Sequence, residues 1–282
     1  MAEHKGLKKS RTGHRLTAGG CAMFVILFSF AAIQIFPLIW LLNFSFASST
    51  EMFTKGILIR PERIRWDNYY KAFTDGHFLL YLKNSLLINT LAVLIVLTSS
   101  VMAAFACSRM RWKLSPLVRN LLLLGMMIPI HATILPNYII YDKFHITDTI
   151  WAILIPYVAF SLPQGLFLTS GYMESIPREI EEAAIIDGCG IYRLLIIIIT
   201  PMLRVSLVTV SIMTYLNNWN EFIMAMTYLS TRTWKTLPFS ILEFVGQYRS
   251  DYATQFAVMA LTAAPAVIIY IVLNRHITKG VA

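Results

Sequence analysis

The stretch IPREIEEAAIIDGCG, Ile176 to Gly190, is a short acidic run between two long apolar segments. Pro177 suits the first turn of a helix, and the glutamates that follow it lie near the positive end of the helix dipole. Gly188 is placed to end that helix with a positive φ angle. The sequence therefore predicts a compact helix within residues 176–190, and a second helix that begins near Ile191 and runs into an apolar span.

The composition indicates that lipid surrounds the apolar segments. Of the 282 residues, 57% are hydrophobic and only 14% are charged, whereas about a quarter of a soluble domain is charged. A hydrocarbon core of about 30 Å requires about 20 apolar residues. Six runs meet this requirement: Ala18–Leu42, Ser85–Cys107, Leu117–Tyr138, Ile150–Thr169, one within Leu194–Ile223, and Phe256–Leu273. The predicted fold is all-α, a polytopic membrane protein with six transmembrane helices.

The basic residues predict the orientation of these helices. Residues 1–17 form a basic tail with five lysines and arginines, and four more follow the second run between Arg109 and Arg119. Short loops rich in Lys and Arg mark the cytoplasmic side. Both termini and residues 176–190 are therefore expected in the cytoplasm, and residues 18–282 are expected to form one transmembrane domain.

The formal net charge of +9 is explained by this sorting and by attraction to anionic membrane lipid. The basic residues are spread over both membrane faces, which argues against nucleic-acid binding. None of the 13 glycines lies in a phosphate-binding G-x-x-x-x-G-K-[ST] loop, and the three cysteines have no metal-binding spacing. We expect no enzymatic activity, no catalytic residue, no metal and no cofactor in this chain.

The acidic helix has one face of mostly small residues. Ile180, Ala183, Ala184 and Asp187 are spaced to share that face, because residues three and four apart are neighbours on a helix. A small face would let another protein approach the backbone closely. The alternative is an ordinary amphipathic connector on the membrane surface.

The sequence EEAAIIDGCG, followed by Pro201, resembles the cytoplasmic signature loop of ABC-importer permeases, E-A-A-x-x-x-G. The motif positions are Glu182, Ala183, Ala184, Asp187, Gly188 and Pro201. The surrounding chain is similar to maltose-type carbohydrate permeases in the segments NYYKAF, NSLLINTLAV, ACSRMRW, MIPIHATILPNYIIYDKFHITDT, WNEF and TLPFSI. Cys189 departs from the alanine that is usual in the family, but it remains a small residue.

The resemblance implies the permease subunit of an ATP-driven sugar importer in a bacterial cytoplasmic membrane. Its expected partners are a second homologous permease, two ABC ATPase subunits that bind ATP and Mg, and an extracytoplasmic sugar-binding protein. The signature helix, with Glu182, Ala183, Ala184, Asp187 and Gly188, is expected to seat on the ATPase as a coupling helix. Closure of the ATPase dimer would then drive alternating access.

The segment NNWNEF supplies the polar residues predicted for the sugar pathway, Asn217, Asn220 and Glu221. Polar groups beside the Trp219 ring suit sugar hydroxyls and ring faces. An interfacial anchor with a solvated carboxylate is the alternative. Further candidates are Asn89, Gln164 and Tyr215, which could equally form hydrogen bonds between helices.

His131 lies within the third run, near Pro129 and Pro136. It could line a pathway or bond backbone groups that the prolines leave free. Two other functional classes remain open for the whole chain. An ion-coupled secondary transporter would normally contain carboxylates within its spans or internal repeats, and a membrane scaffold would show no substrate flux.

Overall fold

The computed structural model describes residues 18–56, 58–246 and 250–278, and their side chains from Gly20 to Ile268. These residues form α-helices and shorter 3-10 and π turns, with no strand among them. The predicted all-α fold is therefore confirmed. The predicted basic tail, residues 1–17, lies outside the described residues.

Three helices in the described part of the chain are long and apolar enough to cross a membrane unbroken. They are α1 (Ala18–Ser45), α4 (Phe78–Ser108) and α7 (Ile150–Glu174), and the short helices α2 (Ser49–Thr54) and α3 (Asp67–Thr74) connect α1 to α4. Even α7, with 25 residues, exceeds a hydrocarbon core of about 30 Å at about 1.5 Å per residue. These helices contain the first, second and fourth predicted runs.

The third predicted run is broken rather than straight. It consists of α5 (Ser115–Leu124), 3-10 turns at Gly125–Met127 and Ile130–Thr133, and α6 (Ile134–Lys143). The two halves meet at 96°. Pro129 has no N–H to donate and favours an extended residue before it. Ile128 is accordingly extended, with φ −79° and ψ 117°.

The fifth predicted run is also bent. After α8 (Arg178–Ile186) come α9 (Ile191–Arg193), a π turn over Leu194–Ile199, α10 (Thr200–Met202) and α11 (Arg204–Trp219). The second helix begins at Ile191 and leads into the span as predicted, but it meets α11 at an angle of 77°. Pro201 cannot donate a helical hydrogen bond. The hydroxyl of Thr200 instead donates to the carbonyl of Leu195 at 2.7 Å.

The sixth predicted run lies within α13 (Tyr252–Thr278), which is preceded by α12 (Ile223–Tyr228) and a 3-10 helix over Leu237–Phe244. Three straight helices, two bent pairs and α13 thus correspond to the six predicted runs. The bends show that two of those spans are not simple rods.

The folded chain has two distinct ends. At one end, here named the loop end, Asp148 accepts hydrogen bonds from the backbone N–H groups of Ser230 and Thr231, and Lys71 pairs with Asp251. At the other end, here named the α8 end, the last turns of α4 and α7 meet α8. The chain therefore crosses between the two ends repeatedly, as a polytopic membrane protein does.

The closest packing in the bundle lies between α4 and α7. A Cβ atom at Gly165 would lie 2.3 Å from Ser100 Oγ and 3.2 Å from a Val96 methyl carbon. Only glycine allows the two backbones to approach this closely. By contrast, α1 is exposed from Gly20 to Ile39, so lipid or another chain must cover its apolar surface.

Candidate functional site

Helix α8, the predicted coupling helix, begins one residue later than predicted. Pro177 occupies the N-cap position with ψ 136°, and Arg178 is the first helical residue. The prediction that Pro177 lies in the first turn is therefore wrong. Glu179 and Glu181 lie in that turn, where negative charge stabilises a helix, and Glu182 follows in the next.

The C-terminal end of α8 is fixed by Gly188. Its φ angle is +80°, which confirms the predicted positive φ. The N–H of Gly188 donates to the carbonyl of Ile185, and the N–H of Cys189 donates to that of Ala184, both at 2.9 Å. These two bonds form a Schellman motif, which satisfies carbonyls that the helix leaves free. The short helix therefore has a defined stop in a conformation that residues other than glycine rarely adopt.

The small face of α8 is divided between the interior and the surface. Ala184 is only 8% exposed and packs with Val101, Phe105 and Met173 of α4 and α7. Ala183 and Glu182 are exposed. The expectation that the whole face is free to contact another protein is therefore wrong at Ala184, which helps to attach α8 to the bundle.

A groove of about 640 Å³ runs between α8 and the following helix. Its lining includes all four residues of the predicted face together with residues of the second helix: Ile180, Ala183, Ala184, Asp187, Arg193 and Ile197. On the outer surface of α8, Ile186 is 85% exposed.

Arg109 joins α8 to the rest of the bundle. Its Nε lies 2.9 Å from Glu181 Oε1, and the two side chains are 6% and 12% exposed. The same guanidinium donates to the carbonyls of Met173 and, at 2.6 Å, Ile176. One side chain at the end of α4 thus contacts the end of α7, the connecting residue Ile176 and the first turn of α8.

The predicted pathway residues Asn217, Asn220 and Glu221 lie together at the end of α11. They line a cavity of about 440 Å³. Asn218 of α11 also lines it, and the other lining residues come from α7, α12 and the break in the third span, including Ile130, His131, Tyr157, Ser161 and Met224. His131, left undecided by the sequence, therefore lies at this cavity because the chain breaks at Pro129.

Glu221 is half-buried and held by several donors. The N–H of Met224 donates to its Oε1 at 2.7 Å, and the Tyr157 hydroxyl donates to its Oε2 at 3.2 Å. The carboxylate thus caps the N-terminus of α12 and ties it to α7. This geometry differs from the solvated carboxylate of a simple interfacial anchor.

Two other polar residues show how the cavity is built. Asn218 is 7% exposed, and its side-chain nitrogen has no hydrogen-bond partner among the described residues. Asn220 instead donates to the carbonyl of Leu216 at 2.9 Å. A buried amide without a partner is costly, so a hydrogen-bonding ligand or water at this cavity would stabilise the site.

The Trp219 ring does not serve this cavity. It is 2% exposed, stacks on Tyr215 at 5.4 Å between centroids and donates from Nε1 to the carbonyl of Thr262 at 3.3 Å. The expectation that it faces a sugar ring is therefore wrong. The cavity's aromatic residues are Tyr157 and Phe160.

The further candidates Asn89, Gln164 and Tyr215 do not line the cavity. Asn89 donates to the carbonyl of Ser85 at 2.9 Å within α4, and Gln164 contacts the Met213 sulfur at 3.5 Å. Tyr215 is buried against Trp219. Their contacts in the described structure lie within or between helices, which favours the packing interpretation.

The organisation of the chain matches a known family of transport proteins. A profile of the binding-protein-dependent transport system inner membrane component family matches residues 95–282. The chain belongs to this family. The matched region contains both the α8 groove and the cavity at the end of α11.

Individual relatives cover nearly the whole permease. An ABC transporter permease protein from Caldicellulosiruptor sp. is 37% identical over 91% of this chain and 93% of its own length. The sulfoquinovosyl glycerol transport system permease protein of Agrobacterium fabrum is 28% identical over 87% of this chain and 86% of its own. The resemblance drawn from the signature loop is thus confirmed at the level of ABC permeases.

The fold of the permease also has a solved counterpart. A bacterial ABC transporter involved in the import of the acidic polysaccharide alginate superimposes with a TM-score of 0.78 at 22% identity, covering 91% of this chain and 95% of the matched chain. At this identity the likeness is one of fold.

Sequence reasoning missed Arg109, which attaches α8 to the bundle, and it missed Tyr157 and Ser161, which line the cavity. Arg109 was recognised only as part of a basic cytoplasmic cluster. Tyr157 and Ser161 lie in a span otherwise apolar enough to pass as lipid-facing, although they are 2% and 7% exposed. A hydroxyl group in a membrane span beside Pro156 was the available signal.

Proposed function

We propose that this permease is a membrane subunit of an ATP-driven importer for carbohydrates. Support comes chiefly from α8, a short helix with a glycine-fixed end, an exposed outer surface and a buried attachment to two long helices. Relatives with a sugar-glycoside substrate in their names favour a carbohydrate cargo. The cargo would be a mono-, di- or oligosaccharide.

In this proposal α8 is the coupling helix, and a separate ABC ATPase binds the ATP and Mg. Glu182 and Ala183 would contact the ATPase directly because they are exposed. Ala184 would hold the helix against the bundle, and Gly188 would set the direction of the chain that leaves it. Asp187 would lie at the rim of the groove, beside Arg193.

The cavity at the end of α11 would form part of the sugar pathway. Asn217 and Asn220 offer amide groups, and Tyr157 and Phe160 offer aromatic surface. This combination binds hydroxyl groups and the apolar faces of sugar rings. Glu221 would keep the cavity wall in place through its bonds to α7 and α12.

The remaining partners are a homologous permease, with which this chain would form a heterodimer, and an extracytoplasmic sugar-binding protein. Both termini and α8 would lie in the cytoplasm of a bacterial cell, and the loop end would face outward. The bends at Pro129 and Leu203 would accompany alternating access, because broken helices line the cavities of many transporters. Exposed α1 would contact membrane lipid or the second permease.

The test is reconstitution of the permease with its native ATPase and binding-protein subunits in proteoliposomes. Sugar-loaded binding protein should raise ATP hydrolysis and drive sugar uptake. Glu182→Lys should lose the ATPase on co-purification, whereas Glu174→Lys should keep it, since Glu174 makes only an exposed ion pair with Arg119. Uptake by the permease alone, driven by an ion gradient, would instead establish a secondary transporter, and assembly without flux would establish a scaffold.

A further inference from the structure

The buried contact between Arg109 and Glu181 stands outside both proposed sites. Glu181 directly precedes Glu182 of the signature motif but points toward the bundle, where it is 12% exposed. Arg109 directly follows α4 and is 6% exposed. A buried ion pair is weak evidence for stability, because desolvation offsets much of its attraction. The question is therefore what this pair does that apolar packing would not.

The guanidinium connects three segments at one point. It lies 2.9 Å from Glu181, and it also donates to the backbone carbonyls of Met173 and Ile176. Met173 is in the last turn of α7, where carbonyls lack helical partners. Arg109 thus neutralises the negative end of α7 and an acidic residue in the first turn of α8 simultaneously.

Arginine suits this junction because separate nitrogens of its guanidinium face Glu181 and the two carbonyls. Its planar group carries five N–H donors in a fixed arrangement and stays charged at every relevant pH. A lysine ammonium also has three donors, but they diverge from one nitrogen, whereas the guanidinium places separate nitrogens at Glu181 and at the two carbonyls. The bonds from the guanidinium to the two carbonyls are directional, and Nε faces Glu181 Oε1 at 2.9 Å as an ion pair rather than as an aligned hydrogen bond.

The location of the junction matters for movement. Between α7 and α8 the chain passes through the extended residue Pro177, which could otherwise act as a hinge. Arg109 bridges this connection from the side. A force applied to α8 would consequently reach the ends of α4 and α7, the two most closely packed helices of the bundle, without being absorbed at Pro177.

We infer that Arg109 and Glu181 are positioning residues that transmit displacement of α8 to α4 and α7. This inference rests on the proposed function, since it takes α8 to be the contact with the ATPase. It predicts that the pair governs how much sugar is moved for each ATP hydrolysed, rather than whether the subunits assemble. A purely structural role would lower yield or melting temperature and leave that ratio unchanged.

The experiment measures sugar uptake and ATP hydrolysis together in proteoliposomes that contain the whole complex. Glu181→Gln retains the shape of the side chain and removes its charge. Its ratio of sugar transported to ATP hydrolysed should fall at least about fivefold, the lower end of typical coupling between sites. Arg109→Lys should behave in the same way. Glu174→Gln is the matched control, because it breaks an ion pair of equal length, 2.9 Å, that is exposed and does not reach α8.

A double variant tests the inference if the single variants assemble poorly. Arg109→Gln combined with Glu181→Gln leaves no uncompensated buried charge, so the complex should assemble while its transport ratio stays low. A normal ratio in Glu181→Gln or in the double variant would overturn the inference while leaving the proposed function intact. A wild-type complex that shows no sugar-stimulated hydrolysis and no uptake would overturn both.

Discussion

The two candidate sites of this permease, the α8 end and the cavity at the end of α11, are built in different ways. The α8 end is specified locally, with its N-cap, acidic first turn and terminating glycine all within Pro177–Gly188. The cavity at the end of α11 is assembled from α7, α11, α12 and the break at Pro129. A site encoded in one stretch can be recognised from sequence, whereas a site gathered from four segments requires the fold.

Two substitutions on α8, Ala184→Trp and Ala183→Trp, should distinguish the attachment of α8 to the bundle from its contact with the ATPase. Of all the variants, Ala184→Trp should have the largest effect. Ala184 is buried and Ala183 is exposed, and overpacking a core position typically costs about 1–3 kcal/mol. Ala184→Trp should therefore reduce the yield of folded permease and abolish transport. Ala183→Trp should leave yield and melting temperature unchanged and weaken only the binding of the ATPase. Equal yields of the two variants would show that α8 is not attached through Ala184.

Gly188→Val should nearly abolish the stimulation of ATP hydrolysis, because it disturbs the backbone at the end of α8 rather than the packing of the helix. At φ +80° a non-glycine residue costs about 1–2 kcal/mol, and a β-branched side chain is among the least suited. Stimulated hydrolysis should fall about tenfold or more, as expected from that cost. Gly190→Val is the matched control, because Gly190 also has open space around a Cβ but an ordinary φ of −71°. Similar losses at both positions would indicate that bulk, not backbone conformation, is responsible.

Glu221→Gln should affect the other region alone. The change removes a charged acceptor of the Met224 and Tyr157 bonds, and a hydrogen bond to a charged group is worth about 1.5–3 kcal/mol. Uptake should fall while co-purification of the ATPase is unchanged. Glu174→Gln, an exposed change outside both α8 and the cavity, serves as the control for uptake. Loss of ATPase binding in Glu221→Gln would mean that the two regions are not separable.

Tyr157→Phe should give the smallest effect. It removes one donor 3.2 Å from Glu221 Oε2 and preserves the ring that lines the cavity. Because 3.2 Å is long for a bond from a hydroxyl to a carboxylate, this bond should contribute no more than the lower limit for a charged acceptor, about 1.5 kcal/mol, and the KM for uptake should rise about tenfold or less. Tyr157→Ala should raise it much further, because it also removes the ring. Identical kinetics in both variants and wild type would exclude this cavity from the pathway.

The comparison also explains what sequence could and could not predict. The six apolar runs, the position of α8 and the positive φ of Gly188 follow from local composition and short-range rules. The prolines at 129 and 201 were visible, but a proline in a span permits anything from a slight kink to a full break. The 96° and 77° angles depend on the surrounding helices. Trp219 was misplaced for a related reason, since α13 determines which way its ring faces.

Arg109 illustrates a further limit. Its positive charge next to a span predicted a cytoplasmic loop, and that interpretation used only the charge. The structure shows a buried side chain with a specific partner 72 positions away along the chain, at Glu181. No spacing rule connects residues so far apart, so this contact could not be predicted from one sequence.

The central claim is that α8, and not the loop end, contacts the ATPase. The most direct measurement is cysteine cross-linking in the assembled complex, after replacement of Cys21, Cys107 and Cys189 with serine. Ile186→Cys, at a position 85% exposed on α8, should cross-link to cysteines on the ATPase surface in a manner that changes with nucleotide. Thr231→Cys, exposed at the loop end, should not cross-link. Cross-linking of the ATPase through Thr231→Cys but not through Ile186→Cys would contradict the account.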